Sequence, residues 1–169
     1  MLNIVLFEPE IPENTGNIMR TCAATGAKLH LIRPLGFRLD ASSIKRSGVN
    51  YIDKVEYTLY DDYEDFCSKN PGEYYYMTRY GKKAHSEFDY SDKSKNIYLI
   101  FGKESTGIPK EILRDKINRC IRIPSTDNVR SLNLSNCVAI VLYEVLRQQD
   151  YLDLSRVEPF KGEDWLLED

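Results

Sequence analysis

The sequence predicts an α/β protein with a mainly parallel sheet and helices on both faces. Short apolar, β-branched or aromatic runs bounded by turn residues recur along the chain. Segments with helical start and stop signals lie between them. Strands that alternate with helices pair in parallel, because each crossover needs a helix to return the chain to the same edge.

The elements follow in order. Asn3–Phe7, within "LNIVLF", reads as a buried first strand. Asn14–Thr25 reads as a helix that opens after Pro12 and closes before Gly26. Lys28–Ile32 is the second strand, Ala41–Ser47 a short helix, and Lys54–Tyr57 a weaker strand. Tyr60–Ser68 begins with acids, as the positive end of a helix dipole favours. Glu73–Thr78, with three consecutive tyrosines, and Ile97–Phe101 are strands. Pro109–Asp115 carries a proline in its first turn. Cys120–Ile123 is a strand, and Leu132–Gln149 is the longest helix. In it Leu134, Val138, Val141, Leu142 and Val145 form one apolar stripe.

A chain of 169 residues can bury one proper core, which predicts a single domain over 1–169. No apolar run approaches membrane-spanning length, so no membrane partner is expected. The start "MLNIVLFEPE" lacks the basic flank and small-residue cleavage site of a signal peptide. Cys22, Cys67, Cys120 and Cys137 form no CxxC pair and have no histidine at metal spacing. They are expected to be buried free thiols in a reducing cytoplasm, with no metal bound. The net charge of −3 hides an asymmetry. Between Asn14 and Asn50 six cations face one anion, while the tail from Asp150 to Asp169 sets seven anions against two cations. Polyanion binding depends on the field of one patch rather than on the total. The acidic tail also holds Trp165, Leu166 and Leu167, which are expected to dock.

Ligands of open parallel sheets gather at the carboxyl ends of strands. Three such ends are unusual. "PEIPENTGNIMR" combines prolines, two asparagines and one glycine with Arg20 inside the following helix. "FGKESTGIP" is neither GxGxxG nor a Walker A, yet Gly102 and Gly107 permit close backbone approach by a ligand. "RIPSTDNVRSLNLSN" sets Ser131, Asn133, Ser135 and Asn136 around a helix start, more polar residues than one cap requires. Arg130 precedes them, where a guanidinium can meet a phosphate. His30 lies in a strand pattern and reads as structural, and His85 lies in the "GKKAHSEF" loop, where nothing in the pattern favours a functional role.

Together these three stretches resemble the three motifs of the SPOUT superfamily of RNA methyltransferases, in its ribose 2′-O-methylating branch. The match runs from Met1 to about Gln149 and is nearest to the small bacterial enzymes that modify the tRNA wobble nucleotide. The resemblance implies a C-terminal trefoil knot and a homodimer with its active site at the interface. The apolar stripe of Leu132–Gln149 and the first helix are then candidates for that interface. It implies S-adenosylmethionine as cofactor, held by Met77, Thr78, Gly102, Glu104, Ile123, Ser131, Leu132 and Asn133. Arg20 matches the catalytic arginine, Asn14 orders its loop, and Tyr143 faces the substrate from a partner subunit.

The implied substrate is cytidine or uridine 34 in the anticodon stem-loop, in leucine tRNAs, with Lys45, Arg46, Lys82, Lys83 and Arg130 as phosphate contacts. An arginine stays protonated in proteins. Its expected role is therefore to steady the negative charge growing on the ribose 2′-oxygen, not to remove the proton. Two other readings stay open: methylation of another tRNA or ribosomal RNA position, and a non-catalytic RNA-binding protein.

Overall fold

The computed structural model describes residues 1–40 and 55–168. The expected helix Ala41–Ser47, with Lys45 and Arg46, lies outside the described residues, as does Lys54.

Among the described residues seven strands form one sheet: β1 (Leu2–Phe7), β2 (Lys28–Ile32), β3 (Tyr57–Tyr60), β4 (Glu73–Met77), β5 (Lys83–Ala84), β6 (Ile97–Phe101) and β7 (Cys120–Arg122). Their spatial order is β3-β2-β1-β6-β4-β7-β5, and every paired neighbour is parallel. Among the described residues four α-helices accompany them: α1 (Pro12–Thr25), α2 (Tyr63–Lys69), α3 (Lys110–Leu113) and α4 (Leu134–Gln148). The strand side chains alternate between two cores, as the period of a pleated strand requires. Ile4, Leu6, Leu99 and Phe101 face one side, where α1 brings Ile18 and Met19 and α4 brings Val138, Val141, Leu142 and Val145. Val5, Phe7 and Ile100 face the other, covered by Phe66 of α2 and Leu113 of α3. Cys22, Cys120 and Cys137 are buried, Cys67 is half-buried, and all four are free.

The expected strands at Lys28–Ile32 and Ile97–Phe101 match β2 and β6 residue for residue. The weak strand expected at Lys54–Tyr57 is displaced to Tyr57–Tyr60. Pairing with β2 selects the register, from Leu29 opposite Tyr57 to Ile32 opposite Tyr60. The helix expected from Tyr60 consequently starts at Tyr63, where Asp62 caps it by accepting the Asp65 N–H at 2.8 Å. Strand β5 and the 3-10 turn His85–Glu87 fall where the sequence shows only a loop, because two residues carry no legible alternation.

Two further expectations are corrected. The apolar stripe of α4 is not a subunit interface: Val138, Val141, Leu142 and Val145 are fully buried within this chain, where they cover the sheet. The exposed apolar residues of α4 are Ile140 and Tyr143. Nor do Trp165, Leu166 and Leu167 dock on the described residues. The two leucines are more than four-fifths exposed, and Lys161 lies over the Trp165 ring.

His30 is structural, as expected. It is buried on β2, with Nδ1 hydrogen-bonded to the Tyr60 hydroxyl at 2.8 Å and Nε2 to Asn3 Oδ1 at 3.0 Å. Burial, and secondarily the nearby Lys28 charge, lower its pKa from 6.5 to about 4. Between those values the unfolded chain takes up a proton that the folded chain refuses. Folding stability therefore falls as pH drops from 6.5 to 4, by up to about 1.4 kcal/mol per pH unit from this group. A His30→Gln variant should show a flatter loss than wild type across that window in urea titrations at stepped pH.

Candidate active site

A pocket of about 440 Å³ opens where β4, β6 and β7 end and where the chain leaving β1 enters α1. Three of its walls are the three stretches singled out in the sequence, and the end of β4, from Met77 to Tyr80, completes the lining.

The first wall follows β1. Glu8 sits in the left-handed region at φ 47, a conformation that costs a non-glycine residue on the order of 1 kcal/mol. It is held there by its N–H donating to Ile32 O at 3.0 Å and by an ion pair with Lys103 at 2.7 Å. Pro12 then starts α1 without an N–H to satisfy, and the buried Asn14 lies in its first turn. The second wall follows β6. A Cβ on Gly102 would lie 2.2 Å from the Gly107 carbonyl carbon, so only glycine lets this loop fold back on itself. Gly107, at φ +74, donates its N–H to Lys103 O at 2.8 Å and closes the turn. Along the Gly102 Cβ direction, then, the close approach is made by the chain itself rather than by a ligand. The third wall runs from Ile123 to the start of α4. Asn133 is the cap, its Oδ1 accepting the Ser135 N–H at 2.9 Å.

One hydrogen-bonded chain ties the three walls together. Glu104 accepts the backbone N–H groups of Glu10 at 2.9 Å and Ile11 at 3.1 Å. Its Oε1 also accepts the Asn14 side-chain amide at 3.2 Å. The Asn14 carbonyl oxygen in turn accepts the Asn133 amide at 2.9 Å. A parallel exposed clasp joins Glu10 to the backbone and hydroxyl of Ser105, both at 2.9 Å. Those bonds hold the Glu10 carboxyl below its usual range. Hydrogen bonds to a carboxylate are each worth about 1.5–3 kcal/mol. The half-buried Glu104 is thus the main fastener between segments ninety or more residues apart.

Ten of the expected site residues line this pocket. Asn14, Met77, Thr78, Gly102 and Glu104 do so from the first two walls and the end of β4. Ile123, Arg130, Ser131, Leu132 and Asn133 do so from the third. Arg20 and Tyr143 do not: both are exposed, on α1 and α4. Lys82 and Lys83 are exposed near β5. His85 is half-buried on the side of α4. Arg79, Tyr80, Lys103 and Arg122 also line the pocket and were not singled out. Their signal was in the sequence, since Arg79 and Tyr80 directly follow the strand ending at Thr78, at the edge where ligands gather.

The fold and pocket define an α/β protein with a small-molecule site built from loops at the carboxyl edge of a parallel sheet. The chain belongs to the SpoU rRNA Methylase family, whose model matches residues 1–143. A relative from Geobacillus stearothermophilus, provisionally named a tRNA (cytidine(34)-2'-O)-methyltransferase, is 54% identical over 155 residues, covering 91% of this chain and 99% of that one. The tRNA (cytidine(34)-2'-O)-methyltransferase of Escherichia coli K12 is 46% identical over 154 residues, covering 89% and 96%. A structure solved in a study of 2-OH methylation of C/U34 on tRNA superposes with a TM-score of 0.81 at 39% identity, covering 89% and 97%. An AdoMet-bound rRNA methyltransferase from Sinorhizobium meliloti superposes with a TM-score of 0.75 at 26% identity, covering 86% of this chain and 56% of that one.

Proposed function

We propose that the protein methylates the ribose 2′-hydroxyl of nucleotide 34, cytidine or uridine, in the tRNA anticodon stem-loop, with S-adenosylmethionine as methyl donor. The observation that carries the reading is the Glu104–Asn14–Asn133 chain, which unites all three motifs around one pocket. The relatives' names and the family membership support the reaction class.

The residues present fit the donor. A pocket of this size lies within the ~300–1,000 Å³ range of small-molecule sites. Ile108, Ile123, Leu132 and Leu134 offer apolar walls for a purine, and the Gly102–Gly107 turn and the Ser131 region offer polar groups for a ribose and an amino-acid end. The donor supplies a methyl group made electrophilic by its sulfonium. The chain's own part is to fix the loops, exclude water from the apolar wall and orient the acceptor ribose. Arg20 supplies a permanent positive charge to the ionising 2′-oxygen.

Arg20 and Tyr143 are exposed outside the pocket of their own chain, on two helices that pack together. This arrangement supports a homodimer that pairs the exposed faces of α1 and α4, Ile140 and Tyr143 included. The trefoil knot is carried over from the family resemblance; after β7 the chain returns to lay α4 against β6 and α1. We further read residues 1–169 as one catalytic domain with an acidic tail from 150, in the cytoplasm. Among the described residues no helix is long and apolar enough to cross a membrane. Arg130, Lys82 and Lys83, with Lys45 and Arg46, are the proposed phosphate contacts.

The test is incubation of the purified protein with bulk tRNA, ribosomal RNA and labelled S-adenosylmethionine, followed by nucleoside mapping. Label in a 2′-O-methylated nucleotide 34 is the expected result. Label at another position or only in ribosomal RNA would replace the substrate. S-adenosylmethionine binding without any transfer would favour a non-catalytic RNA-binding protein.

A further inference from the structure

Beside the active pocket lies a second cleft of about 490 Å³, lined by Arg79, Tyr80, Arg122, Asp127 and Arg130 among others. Arg79, Tyr80, Arg122 and Arg130 also line the active pocket, so the two spaces share a wall. Tyr80 is 66% exposed, and burial gives no reason for an aromatic ring there. Yet the ring is fixed. Thr78 to Gly81 form a tight turn, with the Gly81 N–H donating to Thr78 O at 3.2 Å and the Tyr80 N–H to Thr78 Oγ1 at 3.3 Å. A Cβ on Gly81 would lie 2.8 Å from the Ile121 carbonyl carbon, so glycine lets the turn lie flat against β7. Arg122 Nη1 donates to Arg79 O at 2.7 Å and ties the ends of β4 and β7. The Arg79 guanidinium donates to the Tyr80 hydroxyl at 2.9 Å and lies 4.9 Å from the ring centroid. Three arginines thus line the cleft that holds this solvent-facing ring, one of them in contact with it, and Asp127 is the one carboxylate among the lining residues.

We infer that this cleft seats the RNA nucleotide next to the one being methylated, its base stacked on Tyr80 and its phosphate held by Arg79, Arg122 and Arg130. An exposed ring offers a stacking surface to any base, and a guanidinium keeps several donors for phosphate oxygens after one is used. The shared wall sets that nucleotide one step along the strand from the ribose presented to the donor. The fixed turn means that little order is lost when the base arrives. The inference rests on the RNA-methylation reading and names the part of the substrate that the second cleft takes.

The experiment uses full-length protein and a fluorescent anticodon stem-loop RNA, with RNA affinity read by anisotropy in the absence of donor. Tyr80→Ala should weaken RNA binding roughly tenfold, in keeping with the loss of one stacked base. Tyr80→Phe should stay within about twofold of wild type, because the ring and not the hydroxyl carries the contact. Arg79→Ala should lower the slope of log Kd against log salt by about 0.7, the contribution of one single-strand phosphate. Tyr80 also lines the active pocket, so the discriminating readout is the contrast: in Tyr80→Ala the loss of RNA affinity measured without donor should far exceed any change in calorimetric S-adenosylmethionine affinity, and KM for RNA should rise. Unchanged RNA affinity in Tyr80→Ala would overturn the inference. A loss of donor affinity in the RNA-free protein as large as the loss of RNA affinity would also overturn it, by making the ring a wall of the cofactor pocket and not a seat for a base. RNA binding that depends on Tyr80 in a protein that transfers no methyl group would sustain the seat and defeat the proposed reaction instead.

Discussion

Arg20→Ala should lower kcat by about two to three orders of magnitude and leave the dissociation constant for S-adenosylmethionine within about twofold. The second half of the expectation comes from geometry. Arg20 lies six residues beyond Asn14 on α1, about 9 Å further along the axis, and is exposed rather than part of the pocket wall. It is no member of the Glu104–Asn14–Asn133 chain and does not line the pocket. The first half comes from charge. A ribose hydroxyl attacks only as its oxygen becomes negative, and a fixed cation lowers the cost of that charge at the moment it forms. Arg20→Lys should recover only part of the rate, since a point charge lacks the rigid fork of a guanidinium. Single-turnover rates with prebound donor, compared with calorimetric titration of the donor alone, separate the two quantities. Equal loss of both would place Arg20 in the cofactor site and remove its assigned role.

The core elements were legible because their signals are local. The β6 run "IYLIF" is buried at every residue, and the sequence shows it as an unbroken apolar run between turns. Gly26 closes α1 as the sequence implies, in the left-handed conformation at φ 72 that ends a helix, while the helix starts two residues before the expected Asn14, with Pro12 as its first residue. What was not legible depends on pairing at long range. Nothing local says that β3 begins at Tyr57 rather than Lys54; that follows from its register against β2 and from the Tyr60 hydroxyl reaching His30. The α4 stripe was legible as apolar but not as to which surface it covers. A stripe of that width suits a sheet or a second subunit equally, and only the packing against α1 and β6 decides. In the site, the motif residues announce themselves by type and Arg79 and Tyr80 only by following a strand end, whereas Arg122 joins them only when β4 and β7 become neighbours.

Glu104→Ala should weaken S-adenosylmethionine binding by about ten- to hundredfold and lower the melting temperature by several degrees. The carboxylate accepts three donors from the first motif: two backbone N–H groups and the side chain of the buried Asn14. Truncation leaves all three without it, at about 1–3 kcal/mol for each polar group that water does not reach. Glu10 is half-buried and Ile11 exposed, so water can compensate part of this, and a net loss of about 2–3 kcal/mol is the expectation. In a chain of this length each kcal/mol shifts the midpoint by about 2–4 °C. Donor affinity falls because Asn14, freed from Glu104, no longer anchors Asn133, and the third wall loses its tie to the first. Glu104→Gln should sit between. Its amide oxygen can serve one N–H, but its amide nitrogen then meets a donor where an acceptor is needed. The Glu10–Ser105 clasp joins the same two loops at an exposed position, so Ser105→Ala should change donor affinity by less than about threefold. Calorimetric titration and thermal melts on the three variants measure the contrast. If Ser105→Ala proved as damaging as Glu104→Ala, any link between the loops would suffice, and the half-buried carboxylate would hold no special place in the pocket.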